Sequence, residues 1–449
     1  MTIQHRTAAV LSIGDELTLG QALDTNTQWI AEALTSAGVV VVEHATIDDD
    51  LDRIAGAFER LACRVDLIVA TGGLGPTADD LTRHALARAM QADLVEDAEV
   101  LAVIREWFGG RGRTMPDGNR VQALRPTGAR FLENPNGTAP GMAARVDAAD
   151  VFCLPGPPRE MKPMFVADVA PAIRVPADRL VRTRVLKSFG LGESAAAELM
   201  RQDPEGDLMR RDRSPLVGVT ASLGVLTVRL RDEQAGTPEE AEARLDATEA
   251  RVRACLGRYI YATGDVSVAE AALDRLRTRG ETLAVAESCT GGLIGATLTD
   301  VPGSSDVFAG GWLTYTNEMK RRELAVPPTL FKDTGGENAP GAVSEDVARA
   351  MAEGALRRSG ADHALSVTGI AGPGGAVLGK PVGTVFIGRA STNAGAEVRR
   401  FEFRGGRVSV RAWSATSALA MLLLATDPDV GVEPGERLPL LGERPDGQG

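Results

Sequence analysis

Ser288 stands at the end of the apolar run Ala284-Val-Ala-Glu287 and is followed by Cys289-Thr290-Gly291-Gly292, then by a helix-patterned stretch. A strand that turns into a helix through two glycines exposes a side chain at the bend. The N–H groups beyond the bend can hold an oxyanion. Downstream lies Leu313-Thr-Tyr-Thr-Asn-Glu-Met-Lys320. With Asn317 as N-cap, Glu318, Met319 and Lys320 take the first three helical positions, where the positive end of the helix dipole disfavours an ammonium. Partial burial lowers its pKa further. A neutral Lys320 can accept the Ser288 proton, as in activated serine–lysine pairs, and Tyr315, five residues earlier, can relay or orient it. The chemistry that fits is acyl transfer. The plainer alternative makes Ser288 or Thr290 a helix cap and places Lys320 with Arg321 and Arg322 in a surface charge cluster.

Residue usage favours the chemical alternative. Only five of the 49 basic residues are lysine (162, 187, 320, 332 and 380), and Tyr315 is one of three tyrosines. A chain this rich in arginine that keeps a lysine has reason to need a base able to lose its proton, which arginine cannot do. Cys289 is the rival nucleophile, but successive residues at a bend point in different directions.

Further motifs carry polar or flexible groups. Ser366-Val-Thr-Gly-Ile-Ala-Gly-Pro-Gly-Gly375 leads from a strand into a glycine-dense loop, whose amides and Thr368 can hold a phosphate or ribose; alternatively it is a turn that avoids side-chain clashes. Lys380-Pro-Val-Gly-Thr384 follows. Arg407 and Arg411, four apart on the last helix, face one side and can clamp a phosphate or form a solvated face. Near the N-terminus, Thr71-Gly-Gly-Leu-Gly-Pro-Thr-Ala-Asp-Asp80 opens a helix after a strand, which suits phosphate binding. Asp79 and Asp80 would repel an anion there unless a divalent metal intervened. Gly14-Asp15-Glu16 brings further carboxylates to the same strand ends, the usual ligand edge of such a sheet. Acids capping a positive helix end are the alternative.

The elements that must position these groups alternate. Ala8–Ile13, Val39–Val42 and Asp66–Ala70 are strand-like, with helix-patterned Asn26–Ala37 and Leu51–Leu61 between them, which predicts a parallel sheet covered on both faces. An α+β module of about 90 residues follows, then a second alternating unit from Val268 to about Thr426. The expected division is 1–172, 173–263 and 264–426, with 427–449, rich in Pro, Gly and charge, as a disordered tail.

Composition bounds the function. The 449 residues are 44% hydrophobic and 24% charged, so a disordered chain is excluded, and the net charge of −12 argues against a sequence-independent grip on DNA or an acidic membrane. The longest uninterrupted apolar run, Ala418–Ala425, is far short of a membrane span, and residues 1–14 lack the pattern of a secretory leader. The four cysteines, at 63, 153, 255 and 289, have no metal-ligating or disulfide spacing. A cytoplasmic multidomain protein is expected.

Taken in order, Gly14–Gly20, Asp24-Thr-Asn26, Thr71–Asp80, Asn134-Pro-Asn-Gly-Thr-Ala-Pro-Gly141 and Leu154-Pro-Gly-Pro-Pro158 resemble the molybdopterin-binding domain family, and more closely the N-terminal domain of the CinA competence/damage-inducible family. The middle piece is similar to that family's KH-type module. Its Gly190-Leu-Gly192-Glu193 is too close-spaced and too acidic for the GxxG loop of an RNA binder, which leaves a spacer or dimerising role. Glu287–Gly292, Thr314–Asn317 with Lys320, Gly341-Ala-Val-Ser344, Ser366–Gly375 and Lys380–Thr384 resemble the CinA C-terminal domain, also found alone as a PncC-type amidohydrolase.

The resemblance implies an N-terminal α/β/α domain, a middle α+β module and a C-terminal α/β/α domain. It implies hydrolysis of nicotinamide mononucleotide to nicotinic acid mononucleotide and ammonia without a cofactor. Ser288 would be the nucleophile, Lys320 the base and Tyr315 the supporting hydroxyl, with substrate contacts from Thr290, Gly291, Gly292, Asn317, Thr368, Gly369, Gly372, Arg407 and Arg411. For the first domain it implies an ADP-ribose pyrophosphatase site, with Gly72, Gly73, Gly75 and Thr77 on phosphate and Asp15, Asp79 and Asp80 at a divalent metal such as Mg²⁺. A homodimer is expected, and neither membrane nor direct nucleic-acid binding. Two departures from the family pattern stand out: residues 335–340 look inserted, and Gly406 precedes Arg407 where an acid is common. Two alternatives remain open: diphosphate cleavage as the main activity, and a non-enzymatic partner protein of DNA uptake or repair.

Overall fold

The computed structural model of the chain describes residues 4–176, 180–426 and 439–444. It divides into two compact units, residues up to 182 together with 232–242, and 183–231 together with 243 onward.

The first unit runs β1 (Thr7–Ile13), α1 (Asp15–Thr18), α2 (Thr25–Ser36), β2 (Val40–Ile47), α3 (Leu51–Ala62), β3 (Leu67–Thr71), α4 (Thr82–Ala89), β4 (Leu94–Glu96), α5 (Ala98–Gly109), β5 (Leu124–Pro126), β6 (Arg130–Leu132), β7 (Gly141–Val146), β8 (Ala149–Leu154) and α6 (Pro158–Met164). Its main sheet has the order β2-β1-β3-β8-β7-β6. The first four of these are parallel, whereas β7 runs antiparallel to both its neighbours, so the sheet is mixed rather than parallel throughout. Two residues join β7 to β8, too few for a crossover helix, and Asp147 at φ 48° makes the tight reversal. Strand β1 is apolar at almost every position because both faces are covered. Ala9, Leu11 and Ile13 pack with Ile54 and Phe58 of α3, and Ala8 and Val10 with Ile30 and Leu34 of α2.

β9 (Arg182–Phe189), α7 (Glu193–Arg201), β10 (Leu216–Ser222), β11 (Val225–Asp232), α8 (Pro238–Leu256) and β12 (Ile260–Thr263) form the middle module, which belongs to the second unit except for Arg182 and residues 232–242. Its sheet has the order β10-β11-β9-β12, and Leu186, Leu226, Val228 and Leu230 bury against Met200 of α7 and Leu245 and Val252 of α8.

The rest of this unit is α9 (Val268–Arg279), β13 (Leu283–Glu287), α10 (Leu293–Thr299), β14 (Phe308–Leu313), α11 (Asn317–Leu324), α12 (Lys332–Gly335), α13 (Glu345–Ser359), β15 (His363–Gly369), β16 (Thr384–Ser391), β17 (Gly395–Glu402) and α14 (Arg407–Thr426). The sheet order is β14-β13-β15-β16-β17, with the first three parallel and the last two antiparallel. A Ser267/Glu270 capping box starts α9, and Gly280 in the left-handed region ends it. Helix α14 is long and apolar enough to cross a membrane by length and composition, yet Ala418–Leu423 are buried in the core beside α9, β13 and β15. Leu324 of α11 and Val347 and Met351 of α13 pack with Ala286 and Ala364 in a second cluster.

Of the expected tail, 427–438 and 445–449 lie outside the described residues. The six described residues between them are ordered against β17: Phe401 bridges Glu443, Glu402 N–H donates to the Gly442 carbonyl, and Leu440 is buried.

Candidate active site

Parallel pairing of β13 with β15 and β14 fixes the site. The register Glu287↔Val367 and Glu287↔Leu313 brings the residues that follow each strand to one edge of the sheet. Ser288 N–H continues the ladder to the Val367 carbonyl at 3.0 Å, and Thr314 N–H donates to the Glu287 carbonyl at 2.8 Å. Helix α11 then returns Lys320 beneath this edge. Its Nζ lies 3.0 Å from Ser288 Oγ and donates to the Thr314 carbonyl at 2.8 Å. Lys320 is 1% exposed and Ser288 8%. Desolvation by burial pushes the amine down to about 8, opposed by the neighbouring Cys289. A neutral amine has a lone pair for the serine proton, and no carboxylate holds this one charged among the described residues.

Several sequence expectations change. Thr316, not Asn317, caps α11 by accepting from Met319 N–H, so Asn317 is the first helical residue and Lys320 the fourth. Tyr315 makes no hydrogen bond to Lys320 or Ser288; it is 57% exposed, and its hydroxyl accepts from Arg407 Nη2 at 2.8 Å. The backbone continues the strand direction past Leu313, so Thr314 is buried with the pair and Tyr315 is exposed. The second partner of the lysine is thus the Thr314 carbonyl. Thr368 is 1% exposed and donates to the Ala342 carbonyl at 2.8 Å, so its hydroxyl supports a neighbouring segment rather than standing free for substrate.

Gly369 is a packing glycine, since a Cβ there would lie 2.7 Å from the Val385 side chain. Gly372 is at φ 87°, and its carbonyl accepts from Arg407 Nη1 at 2.9 Å. Arg411 donates twice to the Thr290 carbonyl, at 3.1 and 2.7 Å, and so braces the bend. Only Arg407 of the pair is exposed.

The bend itself has donors. Gly291 and Gly292 sit at φ 63° and 90°, a region open to glycine at little cost. Gly291 N–H is occupied by the Ser288 carbonyl at 3.1 Å, whereas the N–H groups of Cys289, Thr290 and Gly292 have no protein acceptor among the described residues. The Thr290 hydroxyl is buried and likewise unpaired. Glu287, which sequence reasoning missed, is 2% exposed, and its two oxygens accept from Ile294 N–H at 3.1 Å and Gly295 N–H at 2.9 Å. This carboxylate fastens α10 to the strand that carries the nucleophile. An acid directly before Ser288 was the available signal. Burial pushes the Cys289 thiol up to about 12, which keeps it protonated and unreactive at neutral pH.

In the first unit, a cleft of about 600 Å³ opens at the C-terminal ends of β1 and β3, lined among others by Asp24, Asn26, Gly73, Thr77 and Asp79. Gly72 is at φ 105°, and a Cβ there would lie 2.1 Å from the Ile13 carbonyl, so only glycine lets the two strand ends approach. The Thr71–Asp80 segment, expected to open a helix, is instead a closed loop, and α4 begins at Thr82. Asp80 closes it by accepting from Gly75 N–H at 2.7 Å, Thr77 N–H at 2.8 Å and the Thr77 hydroxyl. Gly72 N–H donates to the Leu154 carbonyl. Of the four residues expected at phosphate, only Gly73 keeps an amide without a protein acceptor among the described residues.

Behind the loop, the fully buried Arg83 donates to the Leu74 carbonyl at 2.6 Å and to the Gly75 carbonyl at 3.2 Å; burial lowers its pKa to about 10. Asp15 and Asp49 exchange backbone-to-carboxylate bonds at 2.9 and 3.1 Å. Asp49 is raised by burial and then by the charges of Asp15, Asp79 and Glu16. Asp15, Asp79 and Asp80 do not converge, and no three carboxylate, histidine or cysteine side chains form a metal-ligating group among the described residues. The arrangement does not fit the expected divalent ion.

Three family models match along the chain. Residues 9–175 match the model of a probable molybdopterin binding domain, 183–262 that of the damage-inducible protein CinA KH domain, and 265–426 that of the CinA C-terminal domain. A protein of Symbiobacterium thermophilum described as competence-damage inducible is 42% identical over 428 residues, covering 92% of this chain and 97% of its own. A CinA-like protein of Dictyoglomus turgidum is 38% identical over 413 residues, with 92% and 97% covered. Among solved structures, the competence/damage inducible protein of Agrobacterium tumefaciens is 41% identical over 34% of this chain and 91% of its own, with a TM-score of 0.32. The chain belongs to the CinA family.

Proposed function

We propose that the chain hydrolyses the carboxamide of nicotinamide mononucleotide to nicotinic acid mononucleotide and ammonia. The observation that carries this reading is the buried amine of Lys320, 3.0 Å from the Ser288 hydroxyl. Neutral Lys320 takes the Ser288 proton as Oγ attacks the carboxamide carbon. The amides of Cys289, Thr290 and Gly292, without a protein acceptor among the described residues, would receive the oxyanion. The ammonium of Lys320 returns its proton to the leaving nitrogen, the C–N bond breaks and ammonia departs. Water then attacks the ester, its proton passes to Lys320, and Ser288 is regenerated. Arg407 and Tyr315, exposed and bonded to each other, would meet the phosphate end of the nucleotide.

The test is ammonia release from nicotinamide mononucleotide by the intact chain and by Lys320→Met. Release by the intact chain that falls by about 10³-fold in the variant supports the reading; equal rates overturn it.

A second reading concerns the first unit. The glycine-loop cleft, with Arg83 behind it, supports binding of a nucleotide diphosphate such as ADP-ribose. Diphosphate cleavage there needs chemistry that the observed carboxylates are not arranged to supply by holding a metal. Cleavage of ADP-ribose that stops with a chelator, while ammonia release continues, would establish it as a separate activity. Deamidation without a cofactor, a homodimer, a cytoplasmic location and no direct grip on nucleic acid or membrane belong to the same proposal; tight partner binding with neither turnover would favour a non-enzymatic role.

A further inference from the structure

The four carbonyls of Pro340–Val343 all accept hydrogen bonds from side chains. Lys380 Nζ donates to Pro340 O at 2.9 Å and Val343 O at 2.7 Å, Ser344 Oγ to Gly341 O at 2.8 Å, and Thr368 Oγ1 to Ala342 O at 2.8 Å. Gly341 N–H donates to Leu330 O at 2.9 Å. An irregular segment at the surface normally turns its carbonyls to water, so a strap held at every residue has its conformation imposed from outside.

Its place is set by the sheet. Thr368 follows Val367, the partner of Glu287, so the strap is fastened beside the residue that lies across from Ser288. Lys380 is itself held rigidly. Val377 and Lys380 exchange both backbone hydrogen bonds at 3.1 and 2.9 Å, and Arg400 Nη2 donates to the Gly379 carbonyl at 2.8 Å. A compact ammonium with three donors can bridge two carbonyls three residues apart, a task the planar guanidinium fork suits less well. Together these explain a lysine retained in the Lys380-Pro-Val-Gly-Thr384 motif of an arginine-rich chain.

We propose that Lys380 is a positioning residue that ties the Pro340–Val343 strap to the Val377–Lys380 turn, as Thr368 ties it to the end of β15, and thereby fixes the wall against which the nucleotide seats beside Ser288. The substrate named here rests on the deamidase reading. The experiment compares intact wild type, Lys380→Met, Lys380→Gln and Lys380→Arg by hydrogen exchange of the 335–345 segment without substrate, and by steady-state kinetics with nicotinamide mononucleotide. Lys380→Met is expected to speed exchange at Gly341 about tenfold and raise KM about tenfold, with kcat within about threefold. Lys380→Arg, whose planar fork reaches the two carbonyls less well, recovers only part of both, and Lys380→Gln recovers less. If Lys380→Met does not fold, the Gln and Arg variants carry the same comparison. Unchanged exchange, or faster exchange with an unchanged KM, overturns the proposal. Absence of turnover by wild type overturns the deamidase reading instead, while exchange still decides whether Lys380 holds the strap.

Discussion

The two glycine-rich strand ends of this chain look alike in sequence and differ in what their polar groups are bonded to. At Thr71–Asp80 the groups expected to meet a ligand meet one another: Asp80 takes the amides of Gly75 and Thr77, and Asp15 and Asp49 satisfy each other's backbone. At Glu287–Gly292 the acid turns inward to fasten α10, Arg411 braces the bend from behind, and the hydroxyl and amine of Ser288 and Lys320 face each other. The first arrangement builds a shaped cleft. The second leaves a nucleophile and a base with no carboxylate bonded to the amine among the described residues. Glycine loops therefore do not announce chemistry by themselves; the distribution of unsatisfied groups does.

Mutations at each place sharpen that contrast. The largest effect is expected at the pair itself: Lys320→Met lowers kcat for deamidation by about 10³-fold with little change in the melting temperature at pH 9, where an amine titrating at about 8 is mostly neutral and is replaced by an apolar side chain of similar length. In the other cleft, Asp80→Ala leaves the deamidation rate alone. It removes the acceptor of two amides and a hydroxyl and destabilises the first unit by about 2–3 kcal/mol, visible as a lower-melting calorimetric transition. A change in deamidation rate with an unmoved transition would break the comparison. Glu287→Gln weakens two charge-assisted bonds and lowers kcat about tenfold by loosening the bend that aims Ser288, with KM little affected. The smallest effect belongs to Tyr315→Phe: kcat stays within about threefold while KM rises severalfold, because the hydroxyl meets Arg407 and not the reacting pair. A thousandfold loss of kcat would restore Tyr315 to a proton relay.

The Ser288–Lys320 pair was legible because each member carried its own sequence signal. One stood between an apolar run and two glycines; the other was a rare lysine in a first helical turn. The supporting groups were not legible because they depend on backbone direction. Nothing in Thr314 announces that its carbonyl will accept from Lys320, or in Thr368 that its hydroxyl will turn to Ala342. Asp80 shows the opposite failure: an acid beside a glycine loop reads the same whether it faces a metal or its own turn. In the fold, the alternation of strands and helices located β1, β2 and β3 with α2 and α3, while the antiparallel β7 depended on a two-residue reversal that hydrophobic periodicity does not encode.

The central claim is that Lys320 is uncharged often enough near neutrality to act as a base. The pH dependence of kcat/KM for ammonia release from nicotinamide mononucleotide tests it most directly. With the amine at about 8, lowered from the ordinary 10.5, the unprotonated fraction and the rate rise about tenfold per pH unit below 8 and level off above it. A limb that keeps climbing to pH 10, or a rate independent of pH from 6 to 9, would contradict the assignment.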